Sequence, residues 1–298
     1  MYKYFLSLVV FISCVYADIT PYSILPSSHG PQQQHIKILD SVKLNFHSFF
    51  GTKVRELSDI AYRENILYSI GDRGVLYKFS IKIADDKIKK LRLLKATVLK
   101  GKDKKSLSKS QRDSEGLDFK GKYLLVSFEK EPRVELRKLN AKKYKTVKIE
   151  KKLQHIKNYQ SENKALESVA YSKKYGVVTA PELPLYGKNE HKIYSLHRSW
   201  KFPQEGGITS LTFINKNEIM ILQRKHTFFN FRTEITLSKL NLKTKKYTIL
   251  ARFDSKDGWK IDNFEGLTKV GKNRYLMISD DNNSFLQKTL LVLFEIVK

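Results

Sequence analysis

The chain has 298 residues, with 56 lysines and arginines against 30 aspartates and glutamates, for a formal net charge of +26. The excess is mostly lysine, spread through stretches such as 87–105, 142–152 and 243–246, which suits solvated outer strands and edge protection. A nucleic-acid reader would cluster arginines and aromatics on one face, so that class is set aside, and attraction to anionic surfaces or substrates is the other use of such charge.

Lys3, the apolar run 5–12 and the small-residue site Val15-Tyr16-Ala17 predict a secretory signal peptide over 1–17. A second reading takes Val10-Phe11-Ile12-Ser13-Cys14 as a lipobox, which would anchor the protein by a lipid on Cys14. Either way the product is exported, as a periplasmic or secreted protein or a lipoprotein. Cys14 is the only cysteine, so cleavage after Ala17 leaves neither disulfides nor a thiolate metal site. No later stretch reaches the ~20 apolar residues of a membrane helix, so no transmembrane span is expected.

Residues 18–35, with their prolines, glycine and glutamines, read as a linker or lead-in whose partial removal should leave stability nearly unchanged. From 36 onward, short β-rich runs alternate with turn signals and no long amphipathic helix is evident. The runs repeat. Ser58-Asp59-Ile60-Ala61-Tyr62 precedes a run ending at Asp72, and Glu115-Gly116-Leu117-Asp118-Phe119 precedes one ending at Glu129. Glu167-Ser168-Val169-Ala170-Tyr171 leads to Glu182, Thr209-Ser210-Leu211-Thr212-Phe213 to Arg224, and Glu265-Gly266-Leu267-Thr268 to Asp280. First and last residues are 14 or 15 apart, and the repeats start 42 to 57 residues apart. That period predicts an all-β propeller over 36–298, with five four-stranded blades favoured over six. The last repeat has one further strand, 289–297, so the strand at 36–46 is expected to complete that blade and close the ring.

In an antiparallel hairpin this spacing brings first and last residues to one rim. Ser58, Glu115, Glu167, Thr209 and Glu265 should then ring the channel, joined by Asp72, Glu129, Glu182, Arg224 and Asp280. Converging carboxylates without thiols suit a hard divalent cation, Ca²⁺ before Mg²⁺, with neighbouring arginine or lysine free to hold an anionic group. The competing reading is structural: the glutamates hydrogen-bond neighbouring strands, and Ser279-Asp280-Asp281-Asn282-Asn283 forms an Asx turn. No Gly-x-Ser-x-Gly elbow, His-Glu-x-x-His or P-loop is present.

These stretches, with Gly71-Asp72-Arg73-Gly74, Asp113-Ser114, Pro132-Arg133-Val134, Ala165-Leu166, Pro181-Glu182 and Asn263-Phe264, resemble the bacterial family called esterase-like activity of phytase, or phytase-like domain proteins. The resemblance spans roughly residues 50–297 and implies a propeller, export and hydrolysis of phosphate or carboxylic esters. The sequence departs from the family pattern at Gly71, where serine is usual, and at Gln223, where glutamate is usual; the second change would take one carboxylate from the site. On the leading reading Glu115, Glu167, Glu265 and Asp280 hold the cation, Glu129 or Glu182 is the general base, and Arg73, Arg133 and Arg224 orient a small anionic or ester substrate. The alternative is a non-catalytic envelope propeller that binds a ligand or protein partner.

Overall fold

The computed structural model describes residues 17–46, 53–101, 105–139, 144–227, 229 and 231–297. The signal-peptide and Cys14 readings rest on 1–16, outside the described residues.

Five antiparallel sheets form the propeller. The first blade is β4 (Leu57–Arg63), β5 (Ile66–Gly71), β6 (Val75–Ala84) and β7 (Lys87–Val98). The second is β8 (Ser114–Lys120), β9 (Tyr123–Phe128), β10 (Arg133–Lys138) and β11 (Tyr144–Val147). The third is β12 (Leu166–Ser172), β13 (Gly176–Pro181), β14 (His191–Tyr194) and β15 (Ser199–Phe202), and the fourth β16 (Gly207–Phe213), β17 (Glu218–Thr227), β18 (Arg232–Asn241) and β19 (Tyr247–Asp254). The fifth combines β20 (Asn263–Lys269), β21 (Arg274–Asp280) and β22 (Leu290–Ile296) with β3 (Ile36–Phe46) and, outermost, β1 (Ala17–Pro21); the short β2 (Gln32–Gln33) also pairs with β3. As the strand count predicted, β3 runs antiparallel to β22 and closes the ring.

Inner strands β4, β8, β12, β16 and β20 contact one another in sequence, and β20 returns to β4. Second strands carry consecutive apolar residues, such as 219–222 and 275–278, because alternate residues enter different cores, one on each side of the blade. In β21, Tyr275 and Met277 pack toward the fourth blade, whereas Leu276 and Ile278 pack toward the first. In β17, Ile219 and Ile221 face the third blade and Met220 and Leu222 the fifth. The buried clusters thus fill the five gaps between blades.

One carboxylate ties four blades together at the axis. Asp59 is fully buried; its Oδ1 accepts from Ile60 N (2.8 Å), Leu267 N (3.0 Å) and Ser210 Oγ (2.9 Å), and its Oδ2 from Leu117 N (2.8 Å). Asp118 does the same locally, its Oδ2 accepting from Tyr171 N of the third blade at 2.7 Å. Gly266 makes the closure possible: a Cβ there would lie 2.9 Å from Asp59 Cα.

The lead-in reading needs correction. Residues 17–21 form β1 on the outer edge of β3. Ile24 is fully buried in the core between the fourth and fifth blades, with Tyr22 and Leu25 packed against it. Ile24 O accepts from Lys260 N at 3.0 Å. Polar composition hid a single anchoring isoleucine. Deleting 18–30 is therefore expected to cost about 2–4 kcal/mol, from the lost isoleucine burial and the bared β3 edge. A thermal melt checks it, and unchanged Tm would return the segment to a passive linker.

Candidate metal and ester site at the channel mouth

A register shift falls at the first residue of every repeat. The ladders break between Leu57 and Asp59, Ser114 and Leu117, Leu166 and Ser168, Ile208 and Ser210, and Phe264 and Gly266. Such bulges re-aim a side chain out of the pleat. Ser58, Glu115, Glu167, Thr209 and Glu265 occupy them, beside the ends of the second strands. Ser58 Oγ donates to Asp72 Oδ1 at 2.5 Å, so first and last positions do meet.

Carboxylate oxygens of Asp113, Glu115 and Glu129 lie within 4.8 Å of one another, as do those of Glu129, Glu167 and Glu182. Glu129 belongs to both groups. Among the described residues no protein donor is hydrogen-bonded to the carboxylate of Glu115 or Glu167. Burial, then the neighbouring carboxylates, holds both well above the usual range. Burial lifts Glu129 to about 8 against the hydrogen bond from Ala165 N. Burial, with Glu265 next in importance, lifts Asp72 to about 7 and Asp280 to about 9.

Cations edge the cluster. Lys130 Nζ lies 2.5 Å from Asp113 Oδ2, and Lys164 Nζ donates to Glu182 Oε1 at 3.1 Å. Arg224 donates to Glu265 and Asn263 and lies 3.8 Å from Glu182 Oε1. An open cleft of about 900 Å³, whose lining includes Lys164, Glu182, Arg224, His226, Glu265 and Lys288, leads in from the fourth and fifth blades.

Of the four residues assigned to the cation, Glu115 and Glu167 fall in the carboxylate groups. Glu265 is instead held by Arg224 and Asn263, and Asp280 accepts from Asn282 N at 2.9 Å. Neither belongs to a group. The Asx-turn reading of 280–283 is present as well, since Asp281 Oδ1 accepts from Asn283 N at 3.0 Å. Both carboxylates assigned as bases, Glu129 and Glu182, stand in the cluster. Among the arginines only Arg224 is on the cleft wall. Arg73 is bound to both oxygens of Glu56, at 2.5 and 3.1 Å. Arg133 donates to Glu135 (2.7 Å) and to the carbonyls of Glu131 and Gln111, and stacks on Phe128.

The expected loss of a carboxylate at Gln223 does not occur. Strand alternation puts that buried side chain on the face toward the third blade, with Ile219 and Ile221, where its Oε1 accepts from Tyr247 (3.2 Å) and Ser238 (3.4 Å), while Arg224 faces the fifth blade and reaches Asn263 and Glu265. Gly71 is needed because a Cβ would sit 2.7 Å from Glu56 O. Asp113 and Lys164 belong to the site without having been picked out, while Lys130, just past Glu129, is one of the lysines expected beside the rim. Each flanks a repeat by one to three residues, and that offset was the available signal.

A family model described as "Phytase-like: Esterase-like activity of phytase" matches residues 52–283. No curated protein sequence matches the chain. Among solved structures it is similar to a chain of the mitotic checkpoint complex, at 13% identity over 87% of this chain and 69% of that one, with a TM-score of 0.42. The PQQ-bound aldose sugar dehydrogenase of Streptomyces coelicolor matches at 9% identity over 90% and 100%, TM-score 0.44. Saccharomyces cerevisiae Sqt1 matches at 12% identity over 88% and 80%, TM-score 0.38.

Proposed function

The chain belongs to the phytase-like family, and on that premise we propose that it is an exported hydrolase of phosphate or carboxylic esters, working at the acidic channel mouth with a bound divalent cation. The observation that carries this reading is the pair of carboxylate groups sharing Glu129. Their oxygens are acceptors facing one another, and Glu115 and Glu167 have no protein donor, a set that fits a hard cation and Ca²⁺ best. Asp113, Glu115 and Glu167 would hold the ion, with Glu129 at their junction and Glu265 and Asp280 close by. Bound there, the ion would polarise the ester and lower the pKa of a bound water. Lys130, Lys164 and Arg224 would orient an anionic group entering along the cleft. Glu129 or Glu182 would accept the proton of the attacking water; burial has already tuned Glu129 toward neutral pH.

A second reading, a non-catalytic propeller that binds an envelope ligand, draws support from Arg73 and Arg133. Both are committed to Glu56 and Glu135 rather than to the cleft. Chromogenic phosphate and acyl esters, assayed with Ca²⁺ and with chelator, separate the two. The hydrolase reading expects turnover that chelation abolishes and that Glu182→Gln lowers about 100-fold or more. An inert protein that Ca²⁺ still stabilises would support the binding reading instead.

A further inference from the structure

The most exposed large apolar side chains all lie at one end of the molecule. Among the described residues, Phe229, Phe285, Phe231, Tyr186 and Leu286 are 98, 95, 83, 73 and 71% exposed, while Val98, Leu139, Leu94 and Leu196 are at 50% or below. Each of the first five sits in the loop that follows the second strand of its blade. Tyr186 lies between β13 and β14, Phe229 and Phe231 between β17 and β18, and Phe285 and Leu286 between β21 and β22. Second strands end at the mouth, where Glu182, Arg224 and Asp280 stand. The five side chains therefore project from three adjacent blades around the cleft. β17 and β18 are ten residues each, against six for β13, so their hairpin carries Phe229 and Phe231 beyond the rim residue Arg224.

Nothing in the fold requires these side chains. The blade cores close without them, and exposed apolar groups gathered at one end mark an interaction surface. Lys164, Lys188 and Lys225 are exposed beside the same loops, on a chain of net charge +26. We propose that the mouth face docks on an anionic lipid bilayer. Phe229, Phe231, Phe285 and Leu286 would insert at the headgroup boundary and the lysines would hold the anionic headgroups. A folded protein partner would present matched pockets to a continuous patch. Separate protrusions from three loops instead suit a fluid surface that deforms around each one. The proposal does not depend on the ester-hydrolase reading.

The test is co-sedimentation of the exported protein with vesicles of equal parts phosphatidylglycerol and phosphatidylcholine, and with phosphatidylcholine alone. Binding is expected on the anionic vesicles, about tenfold or more weaker on the neutral ones, and weakened by roughly 1 M salt. The variant Phe229→Ser/Phe231→Ser/Phe285→Ser/Leu286→Ser should stay folded and lose about tenfold or more in affinity. Leu139→Ser/Leu196→Ser, at the far ends of β10 and β14, should bind like wild type. As a substitution that keeps the surface apolar, Phe285→Trp should show a blue-shifted emission on adding anionic vesicles. No binding to anionic vesicles, equal binding by the four-serine variant, or an unshifted tryptophan would each overturn the proposal. So would self-association that the four-serine variant abolishes, since that would assign the surface to a second copy of the chain.

Discussion

Asp59→Ala is expected to destabilise the propeller by on the order of 3–6 kcal/mol, more than any substitution among the channel glutamates. The alanine leaves three buried backbone N–H groups, of Ile60, Leu117 and Leu267, and the Ser210 hydroxyl without their acceptor. An orphaned buried donor costs about 1–3 kcal/mol, and these donors come from four different inner strands, so the loss cannot be absorbed within one blade. Asp59→Asn is the finer probe. Its amide offers one accepting oxygen and one donating nitrogen, so an N–H would face either Leu117 N–H or the three donors at Oδ1. A loss of about 2 kcal/mol or more is expected from the asparagine variant. Urea unfolding measures both. An asparagine variant as stable as wild type would show that the four bonds do not hold the axis.

Without metal, the protein should lose stability as the pH rises through 7 to 9. Asp72, Glu129 and Asp280 are lifted to about 7, 8 and 9, chiefly by burial. In the unfolded chain these carboxyls release their protons near pH 4. A folded pKa above the unfolded one means the native state binds more protons, so the stabilisation is complete below pH 4 and is lost as pH passes the folded values. For Glu129 alone the difference amounts to on the order of 5 kcal/mol between pH 4 and pH 9. The neighbouring carboxyls titrate together, so the total spreads over the whole interval. Chelator-treated protein melted at pH 5, 7 and 9 should give its lowest Tm at pH 9, and millimolar Ca²⁺ should restore most of the loss there. A metal-free Tm that is flat or rises from pH 5 to 9 would mean the carboxylates are not crowded in the folded protein.

The propeller, its five blades and the β3 closure were legible because strand alternation and a 14–15-residue hairpin leave a repeating trace in the sequence. Site residues were legible to the extent that they repeat. Glu115, Glu129, Glu167 and Glu182 stand at repeat positions and meet, with Asp113 joining from just outside. Glu265 and Asp280 also stand at repeat positions, but Arg224 and the 280–283 turn bind them, and no spacing rule shows which carboxylate an arginine from the next blade will take. Asp59 escaped notice because a buried aspartate inside a strand looks like any polar residue until four blades converge on it. Gln223 misled because a motif records its neighbour in sequence, Arg224, rather than the face each side chain takes. Ile24 was hidden by the prolines and glutamines around it.

The central claim is that the mouth carboxylates bind a divalent cation around Glu129, and calorimetric titration of Ca²⁺ at pH 8 into wild type and Glu129→Gln tests it most directly. The substitution keeps the side chain's size and one accepting oxygen for Ala165 N, but removes the charge shared by both carboxylate groups. Wild type should bind Ca²⁺ with release of protons from the raised carboxyls, seen as a heat that changes with the ionisation enthalpy of the buffer. Glu129→Gln should remain folded and bind at least about tenfold more weakly. Wild type that takes up no Ca²⁺, or a glutamine variant that binds it as tightly and with the same proton release, would contradict the account.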